Sequence, residues 1–435
     1  MKIIVLGGGV VGITTAWFLR QDGHDVTVVD RQSAAALECS FANGGQLSYS
    51  HAEPWASPTS LKNAIRWLGK KDAPLRLPLR PDPEMWQWVF KFIRECNASS
   101  VKKNTETLIK LGLYSRFVLE NFQQTYNLQF YQQQRGILHI FRDPKSLSGA
   151  LKQADFQADM KVPYEKMSAK NCIDHEPALE SLRAKLIGGI YYPLDETGDM
   201  HLFVMALEQL CRQHGVNFRY DMTLTSLVHE NGEVVAARMG SGEDLEADAY
   251  VMALGAYSKF FLQELDIDLP IYPMKGYSIT VPLGGDNEGG EGVSGGDIES
   301  ANAPLVSITD QSEKTVYSRL GNILRVAGTA EFAGYNHQID PYRIALLRLA
   351  VKRNFPHCIG IDKSKPWACL RPSTPDGLPV LGKSPIKNLF LNCGHGTLGW
   401  TQAMGSAVIL SDIINSRKPK INLSGMSFSR FQKAK

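Results

Sequence analysis

Three groups of residues in this 435-residue chain have types and spacings that can do chemistry. Gly7, Gly9 and Gly12 stand in the order G-x-G-x-x-G with Val10 and Val11 inside it, and Asp30 follows eighteen residues after Gly12. Glycines so placed permit a tight turn, close approach of a pyrophosphate and close packing of helix on strand. The acid can accept a hydrogen bond from a ribose 2′-OH. Arg371 lies between the apolar run 367–370 and Pro372. A guanidinium leaving a buried strand needs an anionic partner. That partner is either a small ligand's carboxylate, gripped bidentately, or an internal Asp or Glu. Gly394, His395, Gly396 and Thr397, with Leu398, come directly before a helical stretch, whose N-terminus favours negative charge.

The elements that must position these groups are legible from the pattern. Ile3 to Leu6 is a buried parallel strand, Ile13 to Gln21 a helix ended by Gly23, and Val26 to Val29 a second buried strand. Residues 31–53 read as a loop. Residues 104–125 and 147–160 read as helices, and 129–142 as a strand pair about Gly136. A strand at 188–192 precedes a helix at 202–214 and a strand at 216–220. A hairpin then turns at Asn231-Gly232, and a buried strand at 249–254 stops at Gly255. Strands dominate 265–330, interrupted at 284–296 by seven glycines and three acids in thirteen residues. A helix at 341–354, a buried strand at 389–392 and a helix at 398–415 complete the pattern. This order predicts an α/β nucleotide domain of Rossmann type, built from separated segments, with an α+β domain on an antiparallel sheet inserted between them. The predicted pieces are 1–58, 198–260 and 366–435 for the first, and 59–197 and 261–365 for the second.

Composition narrows the class. A net charge of +3 gives no footprint for nucleic acid. Seven scattered cysteines with no CxxC pair argue against a disulfide scaffold and a metal cluster, so no metal is expected and a reducing compartment is. No signal peptide and no uninterrupted apolar run of eighteen residues is present. The expected location is cytoplasmic. Residues 54–95 combine Trp55, Trp67, Trp86 and Trp88 with Lys62, Arg66, Lys70, Lys71, Arg76 and Arg80, a mixture suited to peripheral contact with the inner membrane face.

Asp30 repels the 2′-phosphate of NADP and leaves NAD and FAD open. The segments 7–30, 38–46, 193–199, 272–278, 370–377 and 392–401 together decide further. Over nearly the whole chain they resemble the FAD-dependent amine and amino-acid oxidoreductases related to D-amino acid oxidase and glycine oxidase, with D-amino acid dehydrogenases nearest. "LRPSTPDG" and "GHGTLGWT" are far more specific than the glycine motif. The resemblance implies FAD, with the 394–398 turn at the flavin N1–C2=O edge. It assigns Arg371 to the substrate carboxylate, Asn43, Gly44, Gly45 and Gln46 to the flavin ring, and the backbone at Leu224 to adenine. Arg31, Ser40 and Gly255 join the cofactor set. Tyr272, Lys275 and Tyr277 are candidate substrate contacts, with His51 and Tyr317 behind them. The implied reaction passes the Cα hydrogen of a D-amino acid as hydride to flavin N5, with a quinone or other respiratory acceptor downstream. Oxidation of glycine, sarcosine or L-proline on the same fold is the rival reading. A flavin-free binding protein is a remote one.

Two departures from the family pattern stand out. Cys369 occupies a position that is usually glycine, and its spacing resembles the sarcosine oxidases, which attach flavin covalently at a cysteine. The Gly/acid stretch 284–296 is longer than the family pattern.

Overall fold

The computed structural model describes residues 1–67, 69–78, 80–283, 303–422 and 425–432. The Gly/acid stretch 284–296 lies outside them. Two sheets organise the chain. The first has six strands in the order Val380–Lys383, Leu389–Cys393, Ala249–Met252, Lys2–Leu6, Asp25–Val29, Asn217–Arg219. All its pairings are parallel except that of Val380–Lys383 with Leu389–Cys393.

The near-continuous apolar character of Lys2–Leu6 follows from cover on both faces. Ile3 and Val5 pack with Trp17, Phe203, Ala403 and Leu410 from the helices Val10–Gln21, Met200–Gln213 and Gly399–Ile414. Ile4 and Leu6 pack with Leu224, Leu227, Val234 and Ala237 from a small meander of Leu224–Glu230, Glu233–Met239 and Asp244–Leu245.

The second sheet has nine strands. Its path runs Lys365–Ser373, Tyr272–Pro282, Ile323–Glu331, Thr315–Leu320, Ser307–Asp310, Ile137–Phe141, Gly188–Tyr192, Glu165–Ser168, and Leu75–Arg76 pairs with Ile323–Glu331. It is antiparallel except for two parallel pairings, Ser307–Asp310 with Ile137–Phe141 and Leu75–Arg76 with Ile323–Glu331. One face carries Tyr277, Ile279, Ile308, Tyr317, Leu324 and Val326, packed on Ile344, Leu347 and Val351 of the helix Pro341–Asn354.

The opposite face mixes Ser278, Ser307, Thr309, Ser318 and Arg325 with Val316 and Leu320, and the chain segment 42–46 is laid across it. Ser278 Oγ donates to the Ala42 carbonyl (2.7 Å), and Arg325 Nη1 to that of Asn43 (3.1 Å). Gly44 faces Val316 and Ala327, and Gly45 faces Ser318 and Leu320. Gln46 Nε2 donates to Ser307 Oγ (2.9 Å) and Thr309 Oγ1 (3.1 Å). The segment thus steps across four adjacent strands in five residues.

Three expectations are corrected here. The strand Lys365–Ser373 pairs along its whole length with Tyr272–Pro282, so residues 366–373 lie in the large sheet rather than with the nucleotide segments. Of the strand pair expected at 129–142, only Ile137–Phe141 is a strand. Gln132 and Gln134 alternate because both side chains reach the buried carboxylate of Glu196 (2.6 and 3.4 Å). The loop 31–53 contains a two-residue strand, Gln46–Leu47, paired with Glu196–Thr197.

Candidate active site

A cavity of about 780 Å³ opens between the C-terminal ends of the parallel strands and the face of the large sheet that carries Ser278. This is where ligands bind in open α/β sheets, and the size suits a cofactor-sized ligand. Of the predicted cofactor residues, Gly7, Gly9, Val10, Val11, Asp30, Arg31, Ser40, Asn43, Leu224, Gly255, Gly394, His395, Gly396 and Thr397 line it. Gly12 does not. Its would-be Cβ meets the Gly7 carbonyl oxygen at 1.8 Å, so it is the glycine that lets helix and turn close together. Gly44, Gly45 and Gln46 face the large sheet instead, and Leu398 lines a much smaller adjoining cavity.

The helix Val10–Gln21 begins at Gly9 with no acidic residue in its first turn and no cap from the side chain of its N-cap residue; Ser40 Oγ accepts from Val10 N (3.0 Å). That leaves positive partial charge for a phosphate. Asp30 Oδ2 accepts from Gly8 N (2.6 Å) and Oδ1 from Gln32 N (2.8 Å). Burial outweighs these two donors and raises the Asp30 pKa. Each oxygen keeps a further lone pair for a ribose hydroxyl. Arg31 pairs with Glu38 and lies 4.0 Å over the Tyr257 ring.

Across the cavity, Gly396 N donates to the Pro372 carbonyl (2.9 Å), which fixes the glycine turn against the strand carrying Arg371. Burial drives the His395 pKa down to about 3, so the ring is neutral. Its Nε2 sits 3.2 Å from Ser406 Oγ. Ser406 Oγ donates to the Gln402 carbonyl (2.9 Å). The same hydroxyl also reaches the Ala403 carbonyl (3.2 Å), so the His395 ring is tied through Ser406 to the first turns of the helix Gly399–Ile414.

Arg371 lines the cavity, and among the described residues it has no hydrogen bond or ion pair. Its guanidinium lies across the neighbouring strand at Gly276, where a Cβ would fall 2.4 Å from Cζ and Nη2. The internal ion pair left open by the sequence does not form among the described residues.

The other predicted catalytic residues are committed elsewhere. Tyr272 OH is shared with Asp82 Oδ2 (2.9 Å) and Arg80 Nη2 (2.8 Å), against Trp88 and Phe332. Lys275 Nζ donates to the Gln338 carbonyl (3.0 Å) and sits 3.9 Å from Glu331, while burial lowers its pKa. Tyr277 is among the cavity-lining residues, but its side chain packs in the core on the far face and its OH donates to Glu331 Oε2 (2.7 Å). Tyr317 OH accepts from Asn354 Nδ2 (2.9 Å), and the His51 ring packs on His139 at 5.1 Å; neither lines the cavity.

Sequence reasoning missed Gly276 as a seat for the arginine, though it stood inside a motif already singled out. It also missed Met222, Thr223 and His337, which line the cavity from loops, and Tyr257, which lines it from the short 3-10 helix Gly255–Tyr257.

Residues 2–413 match the family model described as FAD dependent oxidoreductase. The chain belongs to the FAD-dependent oxidoreductase family. A D-amino acid dehydrogenase of Paramagnetospirillum magneticum is 44% identical over 432 residues, covering 99% of each chain. One of Vibrio cholerae is 41% identical over 434 residues, covering 100% of each. The fold is shared with glycine oxidase from Geobacillus kaustophilus (TM-score 0.75, 17% identity, covering 99% of this chain and 100% of that one). It is also shared with L-proline dehydrogenase from P. horikoshii (TM-score 0.71, 15% identity, covering 99% and 97%). The helix N-terminus without an acid in its first turn, the Asp30 carboxylate and the cavity of about 780 Å³ suit FAD. Gly9 to Val11 and Asp30 would hold its AMP half, and the 394–397 turn would meet the flavin end.

Proposed function

We propose that the protein is a D-amino acid dehydrogenase: it oxidises the Cα–N bond of a D-amino acid to the imino acid, which hydrolyses to a 2-oxo acid and ammonia. The observation that carries this is the unpaired Arg371 guanidinium, seated at Gly276 in the cavity of an FAD-dependent oxidoreductase. A fork of donors held in one orientation takes the α-carboxylate bidentately and fixes the Cα–H bond. FAD, when bound, supplies the two-electron acceptor for the Cα hydrogen. The D configuration follows the name borne by relatives at 44% and 41% identity. The chain's part is to bind and orient. His395 is neutral and its Nε2 is hydrogen-bonded with Ser406 Oγ, so it does not act as a cationic clamp. Proton balance is met if the substrate amine enters unprotonated.

Electrons pass in this reading to a quinone or other non-oxygen acceptor. A peripheral membrane site on 54–95 would serve it. Trp86 and Trp88 are not its anchors: Trp88 is buried, with Nε1 donating to the Ser373 carbonyl, and Trp86 donates to that of Arg80. On the helix Pro83–Glu95, Phe90 (62% exposed) and Ile93 (41%) stand outward near Lys91 and Arg94. Among the described residues no helix is long and apolar enough to cross a membrane. FAD is held non-covalently, so acid precipitation releases all of it.

A panel of D- and L-amino acids, glycine, sarcosine and L-proline, assayed with a dye acceptor with and without oxygen, tests the reaction. Turnover of D-amino acids without peroxide is expected; preference for L-proline or glycine, or stoichiometric peroxide, overturns it. Partition onto anionic vesicles, lost in Phe90→Ser/Ile93→Ser, tests the membrane site.

A further inference from the structure

The cavity wall brings together two thiols from positions 330 residues apart. Cys39 lies in the loop after the second nucleotide strand, and Cys369 lies on the strand that carries Arg371. Both line the cavity and both are free thiols. Cys39 Sγ donates to the carbonyl oxygen of Leu370 (3.0 Å), the residue next to Cys369 in the chain. That contact holds the Cys39 loop against the strand of Cys369, the closeness of backbones that a disulfide requires. The positive charge of Arg371 acts on the Cys39 thiol. Each cysteine adjoins an anchor of the site: Ser40, which accepts from Val10 N, and Arg371, two residues beyond Cys369.

We propose that Cys39 and Cys369 form a reversible disulfide, a two-electron oxidation site for small hydroperoxides in the cofactor cavity. The Cys369 sulfur attacks one peroxide oxygen, the O–O bond breaks, and Cys369 becomes a sulfenic acid with loss of one water. The Cys39 sulfur then displaces the second oxygen as water, and the S–S bond forms. Two thiols and one hydrogen peroxide give one disulfide and two waters. The dithiol loses two electrons and two protons, and the peroxide is reduced. Cys39 is the second sulfur to act because its thiol donates to the Leu370 carbonyl, which holds its proton on. The bond would tie the loop carrying Ser40 to the strand carrying Arg371. It stands independently of which amino acid is the substrate.

The test treats the holoenzyme with limiting hydrogen peroxide, alkylates the remaining thiols and digests without reductant. A cross-linked peptide joining Cys39 to Cys369 is expected by mass spectrometry, absent before peroxide and removed by dithiothreitol. Neither Cys39→Ser nor Cys369→Ala should yield it, and the measurement on the natural protein needs neither variant to fold. Recovery of both peptides singly alkylated after peroxide overturns the proposal. So does oxidation of either cysteine to sulfinate without a cross-link, or a Cys369 peptide that carries flavin.

Discussion

At the scale of single residues, the site turns on one unpaired charge and the gap that seats it. Removing the Arg371 guanidinium should lower kcat/KM by about 2–5 kcal/mol equivalents, read mainly as a rise in KM. Arg371→Lys should restore only part of this, because a point charge replaces a fork. Gly276→Ala separates placement from charge. The added methyl meets the mobile end of Arg371 rather than backbone, so folding should change by less than about 1 kcal/mol while KM rises at least several-fold. Steady-state kinetics beside thermal melts distinguish the two, and a Gly276→Ala enzyme with unchanged KM would remove the seat from the account.

A second residue-scale prediction concerns Asp195. Its side chain is fully buried, Oδ1 accepts from Ser50 N and Oγ (2.9 Å each), and Oδ2 has no hydrogen-bond partner among the described residues. Burial raises its pKa to about 7. A carboxyl raised on folding favours the native state below its unfolded pKa near 3.8, and that contribution is lost as pH climbs through about 7. Asp195→Asn should therefore gain stability relative to the natural protein between about pH 4 and 7, by up to a few kcal/mol. Parallel melting curves for both proteins across that range would refute the assignment.

At the scale of elements, the segment 42–46 explains a glycine pair whose effect the sequence suggested but whose surroundings it did not. Gly45 has φ +72°, and a Cβ at Gly44 would lie 2.8 Å from Val316 Cγ2. Gly45→Ala should cost about 1–2 kcal/mol and loosen FAD together with it, measurable by melting and by flavin release on dilution. An Asn-Gly pair reads alike whether it makes a free turn or lies pressed on a sheet. The same limit misplaced Lys275 and Tyr277, whereas Tyr272 shares the face of Gly276 but has its hydroxyl held by Asp82 and Arg80. Alternation along a strand shows that neighbours point oppositely, not which face meets the cavity. The glycine motif and Asp30 were legible because each part is fixed by local backbone geometry. The seat of Arg371 was not, because it depends on the antiparallel register of Cys369 with Gly276.

At the scale of the whole molecule, the cavity wall comes from strands and loops spread from Leu6 to Trp400, so cofactor and fold should stabilise each other. Adding FAD at a hundred times its Kd to stripped protein should raise stability by about 2.7 kcal/mol, with the melting temperature following FAD concentration. A melting temperature indifferent to FAD would place the cofactor elsewhere. The order of the six-stranded sheet has a consequence for how the protein is made. Lys2–Leu6 has Ala249–Met252 as its second neighbour, and that strand in turn waits for Leu389–Cys393. At about 5–20 residues per second, the ribosome takes on the order of 20–80 seconds to reach that last inner strand. Through that interval the nascent chain carries an apolar strand edge with no partner. Nascent chains arrested before residue 389 should engage chaperones and retain no flavin, and the yellow colour should arrive only at the end of translation.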